Sequence, residues 1–169
     1  MKYIFIDPSG SFSEGKGHTG IAIMEDDNWK TLTIESFAAK DYLTRAKYWN
    51  AIIRTVLWEH ITLGVGNVTV IIESFQIRTH GFLMGKMPET IMFIGALTHA
   101  LEEEGVHYVF QTPSQAKSRF KDEALPKYIP EFELRENGRY YFRGKQTNDH
   151  MRDALKHLLF YKKYHKKEK

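Results

Sequence analysis

Val68–Phe75 reads VTVIIESF, and this stretch decides the fold. Five residues of strong β-preference run into Glu73, which has no opposite charge among its close neighbours. A near-continuous apolar run marks a strand covered on both faces, so a carboxylate at its end calls for a reason. Near the start of the chain KYIFID (Lys2–Asp7) has the same form, with Asp7 followed by Pro8, Ser9 and Gly10. If the two strands lie side by side and parallel, Asp7 and Glu73 finish at one edge of a sheet.

The remaining elements favour that arrangement. GIAIM (Gly20–Met24) and TLTIESF (Thr31–Phe37), separated by the hydrophilic EDDN, complete an antiparallel meander with the first strand. SGSFSEGKGH between strands one and two is too polar and glycine-rich for anything but a loop. Asp41 is a candidate N-cap for a helix to about Thr62, with Tyr42, Ala46, Trp49, Ile53, Val56 and Ile61 at helical spacing and Gly64 and Gly66 ending it. A second helix spans Pro88–Glu104, and VHYVF (Val106–Phe110) is a fifth strand. Residues 112–146 read as irregular and basic, although ENGRYYFRGK also suits a β-hairpin turning at Asn137–Gly138. A last helix starts near Thr147 or Asn148. The order β-β-β-α-β-α-β-α, with right-handed crossovers, sets strand four parallel to strand one and beside it in a mixed sheet.

The totals agree with one domain, 1–169, of ordinary composition: 42% apolar, 27% charged and no cysteine, which removes disulfide and thiolate chemistry. Asp7 cuts the first apolar run far short of a signal-peptide core, and no run is long enough to span a bilayer, so a cytoplasmic protein without membrane contact is expected. The net charge of +3 is unevenly spread. The tail 162–169, KKYHKKEK, carries +4 and the rest −1. A basic tail suits a polyanion such as nucleic acid, or is simply a solubilising terminus.

Two acids gathered at buried strand ends repel unless one is protonated or a cation lies between them. Oxygen donors of this kind suit Mg²⁺ or Mn²⁺. NDHMRDALKHLL supplies a third acid: Asp153 shares a helix face with both His150 and Asp149. Met151, Ala154, Leu155, Leu158 and Leu159 can pack on the sheet. Each acid also has a plain structural reading. Asp7 can begin a turn, Glu73 can pair with Arg78 or a lysine, Asp149 can sit at a helix N-terminus, and Asp153 can pair with Lys156 or Lys145. Trp49 and Trp58 read as packing residues, and the other histidines, His157 included, show no ligand spacing.

IDPSG, TGIAI, IIES and HMRDAL, in that order and spacing, resemble the RuvC-type Holliday-junction resolvases, in particular the compact RuvC-like proteins of phages of Gram-positive bacteria. The resemblance implies a ribonuclease H-like α/β fold: a five-stranded mixed sheet of order 3-2-1-4-5 with strand two antiparallel and helices on both faces. It implies two Mg²⁺ or Mn²⁺ ions held by Asp7, Glu73, His150 and Asp153, which favours His150 over Asp149. TPSQAK resembles the segment that brings a lysine to the scissile phosphate, making Lys117 the fifth catalytic candidate and Lys121 a further DNA contact. Phe75 and Phe82 are candidates for stacking on DNA, and Arg78 and Lys86 flank it in the same loop. Ser9 stands where the family commonly has glycine, and the shared motifs do not explain the lysine tail.

The implied activity is hydrolysis of branched DNA, four-way junctions and forks, leaving 5′-phosphate and 3′-hydroxyl ends. A four-way junction is approximately two-fold symmetric, which calls for a homodimer. Helix 88–104 offers the interface through Ile91, Met92, Phe93, Ile94, Leu97, Ala100 and Leu101. Competing readings are a non-catalytic nucleic-acid-binding module, a nuclease acting on RNA–DNA hybrid, and an actin-like ATPase, for which the chain lacks a second lobe.

Overall fold

The computed structural model describes residues 1–9, 11–13, 15–63, 67–75 and 88–164. β1 (Lys2–Asp7) pairs antiparallel with β2 (His18–Glu25) and parallel with β4 (Val68–Glu73). β3 (Thr33–Ala38) and β5 (His107–Gln111) complete a sheet of order β3-β2-β1-β4-β5, as the sequence suggested. Alternation along the strands divides the interior into two cores. Ile4, Ile6, Val70 and Ile72 face α1 (Arg45–Leu63) and α2 (Pro88–Glu103), where Tyr48, Ile52, Phe93 and Leu97 meet them. Phe5 and Ile71 face the other way, toward Ala154, Leu155 and Leu158 of α5 (Asp149–Tyr164). Two residues beyond Phe5 and Ile71 on that same face come Asp7 and Glu73. The pleat therefore aims both acids at α5.

Several expected boundaries are corrected. α1 begins at Arg45: Asp41 closes a short 3₁₀ turn (Ala39–Asp41), and Thr44 caps the helix by accepting from the Lys47 N–H at 3.2 Å. Trp58 and Ile61 are each 64% exposed, so they lie off the buried stripe, whereas Trp49 packs on Phe93 at a ring separation of 5.8 Å. Gly64 and Gly66 lie outside the described residues.

Residues 112–146 are more ordered than their composition implied. They form α3 (Pro113–Lys117), a 3₁₀ turn (Asp122–Ala124), α4 (Leu125–Tyr128) and a small sheet of β6 (Phe132–Leu134), β7 (Tyr140–Phe142) and β8 (Lys145–Gln146). The β6–β7 hairpin turns where Asn137–Gly138 suggested, with Gly138 at φ 72°. Phe120, Leu125, Ile129, Phe132 and Phe142 plug this segment into the α5-side core. Arg143 pins it further, donating to the Leu32, Trp29 and Lys30 carbonyls at 2.9–3.2 Å. Among the described residues no helix is long and apolar enough to cross a membrane.

Candidate functional site

Asp7 and Glu73 end adjacent parallel strands, and Gln111, the last residue of β5, is the register partner of Glu73. Successive turns of α5 then meet successive strands. Its first turn lies over β2 and β1 and its third reaches β4 and β5. The approach at β2 is close because residue 20 is glycine: a Cβ there would stand 2.1 Å from the His150 carbonyl oxygen. That proximity sets the His150 Nδ1 2.6 Å from Asp7 Oδ2. Asp149 points elsewhere, to Arg152, with its side chain 86% exposed. His150, not Asp149, faces the acids.

Lys117 enters from the end of α3, directly after β5. The Gln115 side chain locks that short helix by accepting from the Thr112 N–H at 2.7 Å. The Lys117 ammonium lies 2.7 Å from Asp153 Oδ2, 2.9 Å from Glu73 Oε2 and 3.4 Å from Asp7 Oδ1. The structure thus brings five sequence candidates together: Asp7, Glu73, Asp153, His150 and Lys117. The plain structural readings survive in part, since Asp153 also accepts from Lys156 at 2.8 Å.

The electrostatics follow from this crowding. Burial pulls the Lys117 ammonium down, but Asp7, Glu73 and Asp153 outweigh it and hold the group above the usual lysine range. Burial pushes Glu73 up, yet the His157 hydrogen bond and the Lys117 charge keep its carboxyl below the ordinary value. The Asp7 hydrogen bond raises His150, with burial opposing.

Among the described residues no three acids or imidazoles already close on a shared point at metal-ligand range. The acids converge on the Lys117 nitrogen. The donor set nonetheless fits a hard divalent cation: three carboxylates from β1, β4 and α5, one imidazole, no thiolate, and a focus already selected for positive charge.

Other candidates lie apart. Phe75 and Ser74, just past Glu73, line an open groove of about 310 Å³ with Ile91, Ile94 and Phe110. Lys121 is exposed and precedes the 3₁₀ turn at Asp122. Arg78, Phe82 and Lys86 lie outside the described residues, as do residues 165–169 of the tail.

Three contributors escaped the sequence reading. His18 stacks on His150, with ring centroids 5.8 Å apart and planes at 10°. Tyr48, fully buried on α1, donates to the Ser9 carbonyl at 2.7 Å and so holds the turn after Asp7; burial lifts its hydroxyl to about 12. His157 contacts Glu73 through Nε2 at 2.8 Å and was visible as one more residue on the face of His150 and Asp153, at i+7 and i+4.

No family model matches the sequence, and no curated protein matches it. Solved structures do. Thermus thermophilus RuvC in complex with Holliday junction substrate aligns at 18% identity over 99% of this chain and 96% of that one, with a TM-score of 0.66. A second Thermus thermophilus RuvC structure aligns at 18% identity over 96% of each chain, with a TM-score of 0.56. The likeness is one of fold. The mixed sheet of order 3-2-1-4-5 with helices on both faces is the RuvC and ribonuclease H-like architecture.

Proposed function

We propose that this protein is a metal-dependent endonuclease that hydrolyses branched DNA, with four-way junctions as its first substrate and forks as a second. One observation carries the reading: acids from β1, β4 and α5 meet around a single positive charge at the edge of the sheet. Likeness of fold to a RuvC bound to a Holliday junction supports the choice of substrate. The motifs shared with phage RuvC-like proteins point to branched DNA of phage recombination or replication.

Asp7, Glu73, His150 and Asp153 would hold two Mg²⁺ or Mn²⁺ ions. Such ions, when bound, supply an activated water and neutralise charge at the phosphate. Lys117 offsets charge that accumulates on the phosphorus oxygens. His150 must offer an unprotonated ring nitrogen to bind a cation. Lys156 and Lys117 hold Asp153 from two sides and fix its orientation. The products would carry 5′-phosphate and 3′-hydroxyl ends.

The whole chain, 1–169, would act as one nuclease domain, and a two-fold dimer would present two such sites to a junction. Ile91 and Met92 on α2 are 41% and 50% exposed beside the buried Phe93 and Leu97, which makes α2 the proposed contact. Phe75 and Lys121, with Arg78, Phe82 and Lys86, are the proposed DNA contacts.

The test is a cleavage panel of four-way junction, fork, RNA–DNA hybrid and linear duplex with Mg²⁺ or Mn²⁺. Junction cleavage is expected to exceed that of the hybrid and linear duplex. Glu73→Gln and Asp153→Asn are expected to bind junctions but cut them at least about 100-fold more slowly, the usual cost of losing a strong transition-state interaction. A Glu73→Gln protein that cuts like the parent sinks the nuclease reading in favour of a binding module.

A further inference from the structure

His157 is the most deeply buried ionisable side chain near the strand ends, with none of its surface exposed. Its place on α5 lies in a seam where Leu155, Leu158 and Leu159 pack, and an apolar residue would fill it at lower desolvation cost. Both ring nitrogens are instead engaged. Nε2 lies 2.8 Å from Glu73 Oε2, and Nδ1 lies 2.9 Å from the side-chain oxygen of Gln111. Gln111 is itself buried, and its Nε2 has no hydrogen-bond partner among the described residues. Turning the Gln111 amide over brings that nitrogen against His157 Nδ1. Nδ1 then accepts from the amide and Nε2–H donates to Glu73, a pairing that satisfies both ring nitrogens and the amide nitrogen.

Backbone geometry fixes the far end of this chain of contacts. Gln111 is the register partner of Glu73, and its carbonyl accepts from the Ser74 N–H at 2.7 Å. The amide is therefore anchored to the same strand end whose acid it steadies through the imidazole. Glu73 needs the help more than Asp7 does, having one more rotatable bond to fix.

We propose that His157 is a positioning residue, which donates Nε2–H to Glu73 and holds that carboxylate toward the divalent-cation site, with Gln111 setting the tautomer. The inference deepens the nuclease reading and rests on it for the identity of the cation. Hydrogen bonds behind a ligating carboxylate typically change metal affinity by about 10–100-fold.

The experiment is calorimetric titration of the DNA-free protein with Mn²⁺, beside thermal melting in chelator. His157→Leu is expected to weaken Mn²⁺ binding by about 10–100-fold while still melting cooperatively in chelator. His157→Gln, which keeps an N–H donor, should recover most of the affinity, a rescue that mere filling of space would not give. Gln111→Met should fall between parent and His157→Leu. Parent-like Mn²⁺ affinity in His157→Leu overturns the inference. If that variant does not fold, Gln111→Met decides: a several-fold loss supports the role and unchanged affinity overturns it. A parent protein that binds no Mn²⁺ strikes the nuclease reading itself.

Discussion

Two ion clusters share α5, and their charge balances are opposite. At the strand ends Asp7, Glu73 and Asp153 converge on the Lys117 ammonium, with Lys156 reaching Asp153 alone from the side. One turn away Asp122 sits between Lys156, at 2.5 Å, and Arg152, at 2.6 Å, with the Arg152 guanidinium 4.9 Å above the Tyr140 ring. The second cluster pairs its charges and uses them to tie the 112–146 segment to α5. The first leaves negative charge in excess, and an uncompensated buried excess is a cost that stability alone would not retain. Ion pairs of similar length thus do different things: one group closes a structure, the other leaves a focus of negative charge, the place proposed above for a cation. Lys156 touches both, which makes α5 the beam between them.

The contrast can be broken most severely at Asp122. Its removal in Asp122→Ala leaves Lys156 only Asp153 and Arg152 only the exposed Asp149 as acidic partners, with each cation just 11% exposed, and should cost about 2–3 kcal/mol of unfolding free energy in urea, somewhat less than a half-removed buried pair with no other partner. A loss below about 0.5 kcal/mol, within the range of ordinary surface substitutions, would show the cluster to be ornamental. Lys117→Met attacks the other cluster. Without the ammonium three carboxylates confront one another, so stability in chelator should fall by about 1–2 kcal/mol. Mn²⁺ should then raise the melting temperature of the variant more than that of the parent. Equal metal-induced shifts in both proteins would mean that Lys117 and the cation do not share a place.

A smaller effect sharpens the same contrast through pH. Burial pushes the Asp122 carboxyl up, but Lys156 and Arg152 hold it below its ordinary value of 3.8. A group depressed in the folded state contributes stability that is complete above its unfolded value and fades as the pH drops through its folded one. The gap in melting temperature between the parent and Asp122→Asn should therefore stay flat from neutral pH down to about 4 and narrow below it. A gap that closes between pH 7 and 5 would assign the effect to another group.

The fold was legible because its central strands are long buried runs, and the acids stood out because nothing in a buried strand excuses them. The helix spacing that put His150 and Asp153 on one face was equally plain. What stayed hidden was set by short range or by context. β6, β7 and β8 hold two or three residues each, too few for a period to show, and their aromatic residues are buried only because α5 and the sheet lie beneath. Asp41 and Thr44 are both good capping types, and tertiary contacts chose between them. His157 was set aside because no ligand spacing singled it out, although helical periodicity had already placed it on the right face. His18 reaches the site only by stacking across from β2, a contact no spacing along the chain foretells.

The contacts at the strand ends span unusual stretches of chain: 84 residues between Glu73 and His157, 110 between Asp7 and Lys117, and 143 between Asp7 and His150. During synthesis the first two acids leave the ribosome long before α5 is made, and contacts this distant in sequence form late. The protein is thus born with this cluster in pieces. A nascent or truncated copy ending before residue 149 has no means of gathering them, so under the proposed nuclease function a half-made copy would pose no threat to the DNA around it.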